Sequence, residues 1–280
     1  MQSIFVRLAG GLGNQLFQLA AGLHLATMHE AALIVSPSGL SKYESARRPD
    51  ALRLMSSDLV VLSPGDHIIK TFLLQKIRFG RWPTPFSVND RSFHRSFTTT
   101  PGVFWLMLDG YFQDVWPKLD LMSAVKIVGA KTRENLNAIE VSDIDCAVHI
   151  RGGDFLKIPL HQVVDELYYV AAIKMAAAHG ARNFSVITDD LQYAESLISK
   201  VKSAVADYNF SLLGVSEDCL VDFARIRKAR IKVIGNSTFS WWACALDPER
   251  GLVISPREFV RNIDRRFYLP WEISIDVGEA

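Results

Sequence analysis

The residues best suited to chemistry stand where apolar runs of the sequence end. His149 and Arg151 close one such run and are followed by Gly152, Gly153 and Asp154. In an extended segment His149 and Arg151 point to the same side, and a fixed guanidinium can donate two parallel hydrogen bonds to a diphosphate. The two glycines behind the arginine allow a ligand to approach the backbone closely. This stretch therefore indicates a binding site for a phosphorylated ligand.

Two further polar groups follow apolar runs in the same half of the chain. Asp189 and Asp190 come after the run 184–187. Either Thr188 or Asp189 only caps the following helix, or one of the two carboxylates binds a ligand. A metal site is not indicated, because no Asp-x-Asp pattern or histidine accompanies them. The other group lies at the start of a predicted helix, where free backbone N–H groups favour an anion. This group consists of Asn236, Ser237, Thr238 and Phe239.

A glycine-rich loop joins the first apolar run, 3–8, to a predicted helix from Gln15 to about Glu30. The loop contains Gly10, Gly11, Gly13 and Asn14 and leads into Gln15. Three glycines permit a sharp turn and leave room for a ligand at the helix N-terminus. The ligand is either a phosphate or a sugar hydroxyl, and a tight turn without a ligand is the alternative.

Two common phosphate-binding motifs do not fit this loop. A dinucleotide fingerprint starting at Gly11 needs a glycine or alanine where Leu16 stands, and an acidic residue at the end of the next strand, where Ser36 stands. A P-loop needs a lysine, and the loop has none. A nicotinamide-dependent oxidoreductase is therefore disfavoured, although it remains an alternative.

The elements that must position these groups alternate along the chain. A strand, the glycine loop, a helix and a second strand at 31–35 favour a parallel sheet with helices on both faces. A mixed-charge helix is expected over 118–139, and the alternation restarts with a buried strand at 145–150. We therefore expect an α/β fold with domains 1–140 and 141–280, although spacing alone is equally compatible with one large Rossmann-like sheet. Shorter elements are predicted as strands over 59–62, 103–108, 183–187, 210–213 and 231–234 and as helices over 168–179, 191–200 and 218–228.

Composition narrows the class of protein. The 280 residues are 49% hydrophobic, which is ample for a buried core, and the net charge of +1 argues against a general nucleic-acid binder. The three cysteines, Cys146, Cys219 and Cys244, suggest neither a disulfide framework nor a zinc site. We expect a cytoplasmic protein, because no signal peptide or membrane-spanning run is recognisable.

A basic and aromatic segment, 76–97, interrupts this alternation. Its basic residues are interleaved with aromatic ones, and Pro83 and Pro85 forbid a regular helix. Such a mixture fits a saccharide, peripheral contact with the inner face of a membrane, or solvated arginines around a small aromatic core. We do not place catalysis there.

Five motifs occur in a recognisable order along nearly the whole chain: Gly10–Gln18, Gly110–Gln113, His149–Asp154, Thr188–Asp190 and Asn236–Trp242. Together they resemble the bacterial α-1,2-fucosyltransferases of glycosyltransferase family 11. The resemblance implies a GT-B-like fold, in which two Rossmann-like domains face each other across a cleft. It implies that 1–140 is the acceptor-side domain and that 141–280 binds the GDP-sugar.

The resemblance also implies an activity. The expected reaction moves L-fucose from GDP-β-L-fucose, with inversion, to the 2-hydroxyl of a galactose-type acceptor in a surface glycan, without a metal or other cofactor. Arg151, Asn14 and His149 are the expected catalytic residues, and Asp189 is the first choice for recognition of guanine. The other residues expected to contact the donor are Gly11, Gly13, Gln15, Asp154, Asp190, Asn236, Ser237, Thr238 and Phe239.

Gly152 is the main departure from the family pattern, which usually has a second arginine there. The sequence leaves open a divergent donor or a non-catalytic relative that only binds a nucleotide sugar. We expect Gly152→Arg to be tolerated or mildly activating if the missing arginine only adds affinity. Of the neighbouring aromatics, Trp241 and Trp242 are expected to pack between helix and sheet, whereas Gln113 is a better ligand candidate than Tyr111 or Phe112.

Overall fold

The computed structural model describes residues 3–42, 48–55, 60–61, 86–88, 105–116 and 120–276. These residues belong to two compact units, Met1–Leu136 and Asn137–Ala280. The basic and aromatic segment 76–97 lies outside the described residues except for 86–88. No helix in the described ranges is long and apolar enough to cross a membrane.

The first unit is built on a five-stranded parallel sheet. Its strands are β1 (Ser3–Arg7), β2 (Ala32–Ser36), β3 (Val60–Val61), β4 (Phe86–Val88) and β5 (Trp105–Leu108). Its helices are α1 (Leu12–Met28), α2 (Asp50–Leu54) and α3 (Leu121–Asn137), and a 3₁₀ helix spans Pro37–Lys42. The strand order is β3-β2-β1-β5-β4.

This order places a topological switch point between β1 and β5. The chain proceeds from β1 to β2 and β3 on one side, whereas β5 and β4 lie on the other side. In open α/β sheets ligands bind outside the carboxyl ends of the strands at such a point. A ligand site in this unit is therefore expected at the loops after β1 and β5.

Helix α1 lies close against the sheet because Gly22 faces it. A Cβ at Gly22 would stand 2.5 Å from Val6 Cγ2 and 2.9 Å from Leu33 Cδ1. Leu16 and Leu19 of the same helix are fully buried. The helix begins at Leu12 and not at Gln15 as predicted, because Gly11 is the N-cap and Gly13 lies within the first turn.

The second unit contains a six-stranded parallel sheet. Its strands are β6 (Cys146–Ile150), β7 (Asn183–Thr188), β8 (Asn209–Leu212), β9 (Ile231–Ile234), β10 (Leu252–Pro256) and β13 (Glu272–Ile275); β11 (Glu258–Val260) and β12 (Ile263–Asp264) form an antiparallel pair. Its helices are α4 (Glu166–Ala178), α5 (Leu191–Ala204), α6 (Cys219–Lys228) and α7 (Thr238–Ala245), with 3₁₀ helices at Gly153–Lys157 and Pro159–His161. The order is β13-β10-β9-β6-β7-β8.

The second sheet has its switch point between β6 and β9. The chain continues from β6 to β7 and β8 on one side, and β9, β10 and β13 extend the other side. Two buried tyrosines of α4 hold these strand ends: the Tyr168 hydroxyl donates to the Ile234 carbonyl (2.5 Å), and the Tyr169 hydroxyl donates to the His149 carbonyl (3.1 Å). The loops after β6 and β9 therefore start from fixed positions.

Local side chains explain why the helices of this unit start where they do. Asp165, Asp190 and Asp218 are the N-caps of α4, α5 and α6, and each accepts a hydrogen bond from a backbone N–H in the first turn. In α7 the predicted packing is confirmed, because Trp241 and Trp242 are both fully buried.

The three cysteines differ in their environment. Cys146 in β6 and Cys244 in α7 are buried, whereas Cys219 at the start of α6 is half-buried. Burial raises the pKa of the Cys146 and Cys244 thiols far above the ordinary value. Both buried thiols therefore stay protonated at neutral pH.

Candidate functional site

Arg151 is the first residue after β6 and lies between two carboxylates. Its Nη1 donates to Asp189 Oδ2, and its Nη2 donates to Asp154 Oδ1. The side chain keeps 20% of its surface exposed, and its guanidinium carbon lies 5.0 Å above the centre of the Phe155 ring. The structure thus fixes the plane of the guanidinium from two sides at the switch point of the second sheet.

The two aspartates after β7 hold the loop that carries Arg151. Besides pairing with Arg151, Asp189 accepts a hydrogen bond from Gly152 N (2.8 Å) through Oδ1. Asp190 accepts from Gly153 N (3.2 Å) and caps α5 by accepting from Tyr193 N (3.1 Å). Both oxygens of Asp189 are therefore engaged within the protein, although a carboxylate has further acceptor sites, and its recognition of guanine stays a prediction.

Gly152 is required by the close approach of this loop to Asp190. A Cβ at Gly152 would lie 2.5 Å from Asp190 Cβ, and one at Gly153, where φ is +54°, would lie 3.0 Å from Asp189 Oδ2. Contacts below 3.0 Å force atoms to move. The expectation that Gly152→Arg is tolerated is therefore wrong for this backbone, since the position has no room for a side chain.

His149 lies beneath the loop and is 4% exposed. Its ring centre is 5.7 Å from that of Phe239, and its buried Nδ1 has no hydrogen-bond partner. Burial, reinforced by the Arg151 cation, lowers the pKa of His149 to about 3. The imidazole is neutral at neutral pH, and such a low pKa makes it a weak proton acceptor.

Two residues beside Arg151 were missed by the sequence analysis. Phe155 provides the face on which the guanidinium rests, and its ring centre lies 4.5 Å from that of His161. Burial lowers the pKa of His161. Both belong to the short 3₁₀ turns after Gly152, and their sequence gives no periodic signal that could have revealed the contact.

Of the four residues 236–239, one has a structural role and the others lie at the start of α7. Asn236 is buried, and its Nδ2 donates to the His161 carbonyl (2.8 Å) and the Phe259 carbonyl (2.9 Å). Asn236 therefore ties neighbouring loops together, and its contact with the donor stays a prediction. Ser237 is the N-cap of α7, but its side chain makes no capping hydrogen bond, and Thr238 and Phe239 are half-buried. The start of α7 is adjacent to β9 at the switch point.

In the first unit, two buried glutamines of α1 support the glycine loop. Gln15 Nε2 donates to the carbonyls of Gly10 (3.0 Å) and Arg48 (2.9 Å), and its Oε1 accepts from Ala51 N (3.2 Å). These bonds give the side-chain amide of Gln15 a structural role, and its contact with the donor stays a prediction.

Gln18, which the sequence analysis did not single out, links the two loops at the first switch point. Its Oε1 accepts from Ala9 N (2.9 Å), and its Nε2 donates to the Gly110 carbonyl (3.0 Å). Next to it, Asn14 Oδ1 accepts from Gln113 Nε2 (2.9 Å). The motifs around Gly11 and Gly110 are thus brought together in space.

Glycine is needed at only some positions of the first loop. Gly10 has φ of +78°, and a Cβ there would lie 2.6 Å from Asn14 Nδ2. Gly11 has φ of −74°, and a Cβ there would meet nothing within 4 Å. Gly13 is buried inside α1. The structure of the loop thus explains Gly10, whereas Gly11 borders open space.

The chemistry available at the two switch points differs. The second unit offers an ordered guanidinium and the N-terminus of α7, which suit a phosphorylated ligand. The first unit offers amides and an Arg7–Asp109 ion pair (Nη2–Oδ1, 2.5 Å) at the adjacent ends of β1 and β5. A group-transfer enzyme that acts on a phosphorylated donor fits this combination.

Comparison with known proteins supports such an enzyme. Over 273 residues the chain is 25% identical to an α-1,2-colitosyltransferase of Escherichia coli, covering 91% of this chain and 92% of that protein. It is 29% identical over 119 residues to the O-antigen biosynthesis glycosyltransferase WbnK of Escherichia coli, covering 40% of this chain and 38% of WbnK.

Solved structures show the same fold. Fucosyltransferase NodZ from Bradyrhizobium matches with a TM-score of 0.53 and 15% identity, covering 89% of this chain and 94% of NodZ. NodZ has also been solved after soaking with GDP-fucose, with a TM-score of 0.51 and 16% identity over 88% of this chain and 93% of NodZ. The expected fold class is confirmed: each unit is a Rossmann-like α/β layer structure, as in GT-B glycosyltransferases.

The family follows from the sequence match. The profile of glycosyl transferase family 11 matches residues 86–265, which is more than half of the chain and includes Arg151 and the α7 motif. The chain is therefore a fucosyltransferase-like glycosyltransferase that belongs to glycosyl transferase family 11.

Proposed function

We propose that the protein transfers L-fucose from GDP-β-L-fucose to the 2-hydroxyl of a galactose-type residue of a surface glycan, with inversion at the anomeric carbon. The observation that carries this proposal is the guanidinium of Arg151, fixed at the second switch point in a family 11 chain. NodZ, solved with GDP-fucose, provides the analogy for the donor.

Arg151 has the capacity to bind the diphosphate without leaving its carboxylates. A guanidinium carries five N–H donors, and the bonds to Asp154 and Asp189 use one on each terminal nitrogen. The first-turn N–H groups of α7 and the hydroxyl of Thr238 are the further donors that we propose for the phosphates. Gly11, Gly13, Ser237 and Phe239 remain proposed contacts of the bound substrates.

The leaving group is the part of the reaction that these residues stabilise. When the sugar–phosphate bond breaks, its electron pair stays with GDP, so negative charge grows on the diphosphate. Preorganised donors aimed at this charge lower the barrier. We propose that Arg151 and the start of α7 supply this stabilisation and that no metal is needed, so activity should persist in EDTA.

The proton of the acceptor hydroxyl needs a separate recipient. His149 is a poor general base because the pKa of its imidazole lies at about 3. We propose instead that His149 positions the end of β6 by packing against Phe239. We propose Asp154, whose side chain is half-exposed beside Arg151, as the recipient of this proton.

Release of GDP from GDP-fucose, with p-nitrophenyl β-galactoside as the acceptor, tests the proposal. Stimulation of GDP release by the acceptor, together with an α-linked product at the 2-hydroxyl in NMR spectra, is expected. The chain would be a non-catalytic binding relative if it bound GDP in calorimetry but released none from any GDP-sugar. Loss of activity in EDTA, restored by Mg²⁺ or Mn²⁺, would contradict the metal-independent mechanism.

Colitose is a second candidate donor sugar, favoured by the similarity to an α-1,2-colitosyltransferase over 91% of the chain. Colitose is fucose without its 3-hydroxyl. A site that hydrogen-bonds a substrate hydroxyl rejects the analogue lacking it by about 10⁴-fold or more. A comparison of kcat/KM for GDP-fucose and GDP-colitose therefore identifies the donor. A preference of that size for GDP-fucose supports the main proposal, and equal or reversed values support colitose.

A further inference from the structure

One backbone carbonyl, that of His149, joins the two strands at the second switch point. His149 in β6 pairs with Ile234, the last residue of β9. Its carbonyl accepts hydrogen bonds from Gly235 N (3.2 Å) and from the Tyr169 hydroxyl (3.1 Å). A carbonyl oxygen has two lone pairs, so both acceptor positions are used. The Tyr169 hydroxyl is therefore part of the junction between β6 and β9.

Gly235 leaves the space in which this hydroxyl lies. A Cβ at Gly235 would stand 2.8 Å from the Tyr169 hydroxyl oxygen and 3.4 Å from the His149 carbonyl oxygen. Overpacking at the shorter distance forces atoms to move, and the atom in the way is the hydroxyl. The backbone of Gly235 is not among those with positive φ. The space for the hydroxyl, and not a left-handed conformation, thus accounts for the glycine.

The Tyr169 side chain is held firmly in this place. It is fully buried, and the ring of Tyr168 packs edge-on against it with 5.1 Å between the ring centres. Burial raises the pKa of Tyr169 far above its ordinary value, so the hydroxyl keeps its proton and stays a hydrogen-bond donor. Asp165 caps the helix α4 that carries both tyrosines. The hydroxyl of Tyr169 is thus a fixed donor inside the second unit.

Both groups that are proposed to bind the diphosphate start from this junction. Arg151 lies two residues after His149, and Ser237, the N-cap of α7, lies two residues after Gly235. Ser237 N also donates to the Gly235 carbonyl (2.8 Å). Hydrogen-bond donors lower a barrier only when they are aimed at the developing charge, and small misplacements cost much of the rate. The distance between Arg151 and the start of α7 therefore matters for catalysis.

We propose that Tyr169 is a positioning residue of the donor site, whose hydroxyl sets the spacing between the Arg151 guanidinium and the first-turn N–H groups of α7. The inference rests on the proposed function in that these two groups bind the diphosphate of the donor. Tyr169 itself does not contact the substrate. Its loss should therefore weaken GDP binding and turnover without changing the KM for the acceptor.

Tyr169→Phe tests this role, because it removes the hydroxyl and keeps the ring. The His149 carbonyl retains its bond from Gly235 N, so the variant should fold. We expect kcat to fall roughly tenfold and the Kd for GDP to rise roughly tenfold, at an unchanged KM for p-nitrophenyl β-galactoside. Thr132→Val is the matched control, since Thr132 is fully buried in α3 and its hydroxyl donates to the Val128 carbonyl (3.0 Å). This control should lose a similar amount of thermal stability but keep the wild-type kcat and Kd for GDP.

Gly235→Ala tests the shared space. Alone, it should lower the melting temperature and kcat, because the new Cβ displaces the Tyr169 hydroxyl. In the Tyr169→Phe background the same change should lower neither quantity further, since the oxygen 2.8 Å from the Cβ is gone. Independent, additive losses in the double variant would contradict the proposed arrangement.

Calorimetry with GDP separates this inference from the proposed function. If the wild type bound GDP but transferred no fucose, the proposed function would fail, and roughly tenfold weaker GDP binding by Tyr169→Phe would still support the positioning role. If the wild type transferred fucose and Tyr169→Phe kept its kcat and its Kd for GDP, the positioning role would be overturned and the proposed function would stand. A wild type without affinity for GDP would overturn both.

Discussion

The side chain of Arg151 does what no lysine can do, since two different nitrogens of one plane reach Asp154 and Asp189. We expect Arg151→Lys to keep the charge but lose this orientation, and to lower kcat by roughly 10²-fold. GDP release from GDP-fucose at saturating donor measures the loss.

Arg230→Lys is the control for this substitution. Arg230 also pairs with a carboxylate, Asp145, but it does so at the amino end of β6, away from the switch point. Turnover of Arg230→Lys should stay near the wild-type value. Near wild-type turnover by Arg151→Lys would remove Arg151 from the proposed mechanism.

His149 makes the stability of the second unit sensitive to acid. Its pKa is about 3 in the folded protein and near 6.5 when unfolded, so below pH 6.5 the unfolded chain binds a proton that the folded chain does not. The free energy of unfolding is therefore not reduced by this residue above about pH 6.5, and it decreases as the pH falls from 6.5 toward 3. Between pH 7 and pH 5 the loss is about 2 kcal/mol.

His149→Phe should remove this part of the pH dependence. Phenylalanine keeps the packing against Phe239 but does not titrate. Urea unfolding of wild type and variant at both pH values measures the difference, and the exposed His29 replaced by glutamine serves as the control. An equal pH dependence in wild type and His149→Phe would show that the imidazole charges in the folded state.

The sequence identified Arg151 and its neighbours as a group, but it could not assign their partners. Asp189 and Asn236 lie in ligand-like motifs, yet they bind backbone groups of loops 23 or more residues away along the chain. Thr188 or Asp189 was expected as the cap of α5, whereas the structure shows Asp190 in that position. Which hydrogen-bond donor a carboxylate meets depends on tertiary packing, which local patterns do not encode.

At the scale of elements, the loop after β6 lies so close to the start of α5 that it limits which residues can replace Gly152. We expect Gly152→Ala to lower the free energy of unfolding by about 1–3 kcal/mol, because the new Cβ displaces Asp190 and its cap. Urea unfolding measures it. Gly11→Ala is the matched control and should cost less than about 1 kcal/mol, since its Cβ enters open space. Equal stability of the two variants would contradict the predicted crowding at Gly152.

In the first unit, the side-chain amide of Gln18 links the loop after β1 to the loop after β5. Gln18→Leu keeps the size of the side chain but leaves Ala9 N and the Gly110 carbonyl without their partner. We expect a loss of about 2 kcal/mol in the free energy of unfolding, which urea unfolding measures. The same change at Gln192, which is exposed, should leave the free energy of unfolding unchanged. An unaffected Gln18→Leu variant would mean that water replaces the amide.

Elements with strong periodicity were predicted well, and those that depend on distant partners were not. Strand β9 has its predicted bounds, and helix α3 and strands β6 and β7 lie within three residues of theirs. Strands β10 and β13 were not predicted. Glu272–Ile275 lies at the sheet edge and carries Ser274 and Glu272, whose oxygens bond with Arg265. Polar strand residues paired in this way hide the apolar alternation by which strands are recognised.

At the scale of the molecule, the second unit has a core of its own. Buried residues from β6, β7, β9 and the helices around them form one apolar cluster. We expect residues 137–280 alone to unfold cooperatively and to bind GDP within about tenfold, or 1.4 kcal/mol, of the full chain. Calorimetry with GDP tests this, with the Arg151→Lys fragment as the control. A folded fragment without affinity for GDP would show that residues before 137 contribute essential donor contacts.

The three cysteines differ in burial, and this difference allows one of them to be labelled for spectroscopy. The thiolate is the form that reacts with maleimides, and burial keeps Cys146 and Cys244 protonated. Cys219, half-buried at the start of α6, is thus the thiol that a fluorescent reagent should modify in the folded protein. A dye at this position allows energy transfer to a fluorescent GDP analogue to be followed in real time without engineering a new cysteine.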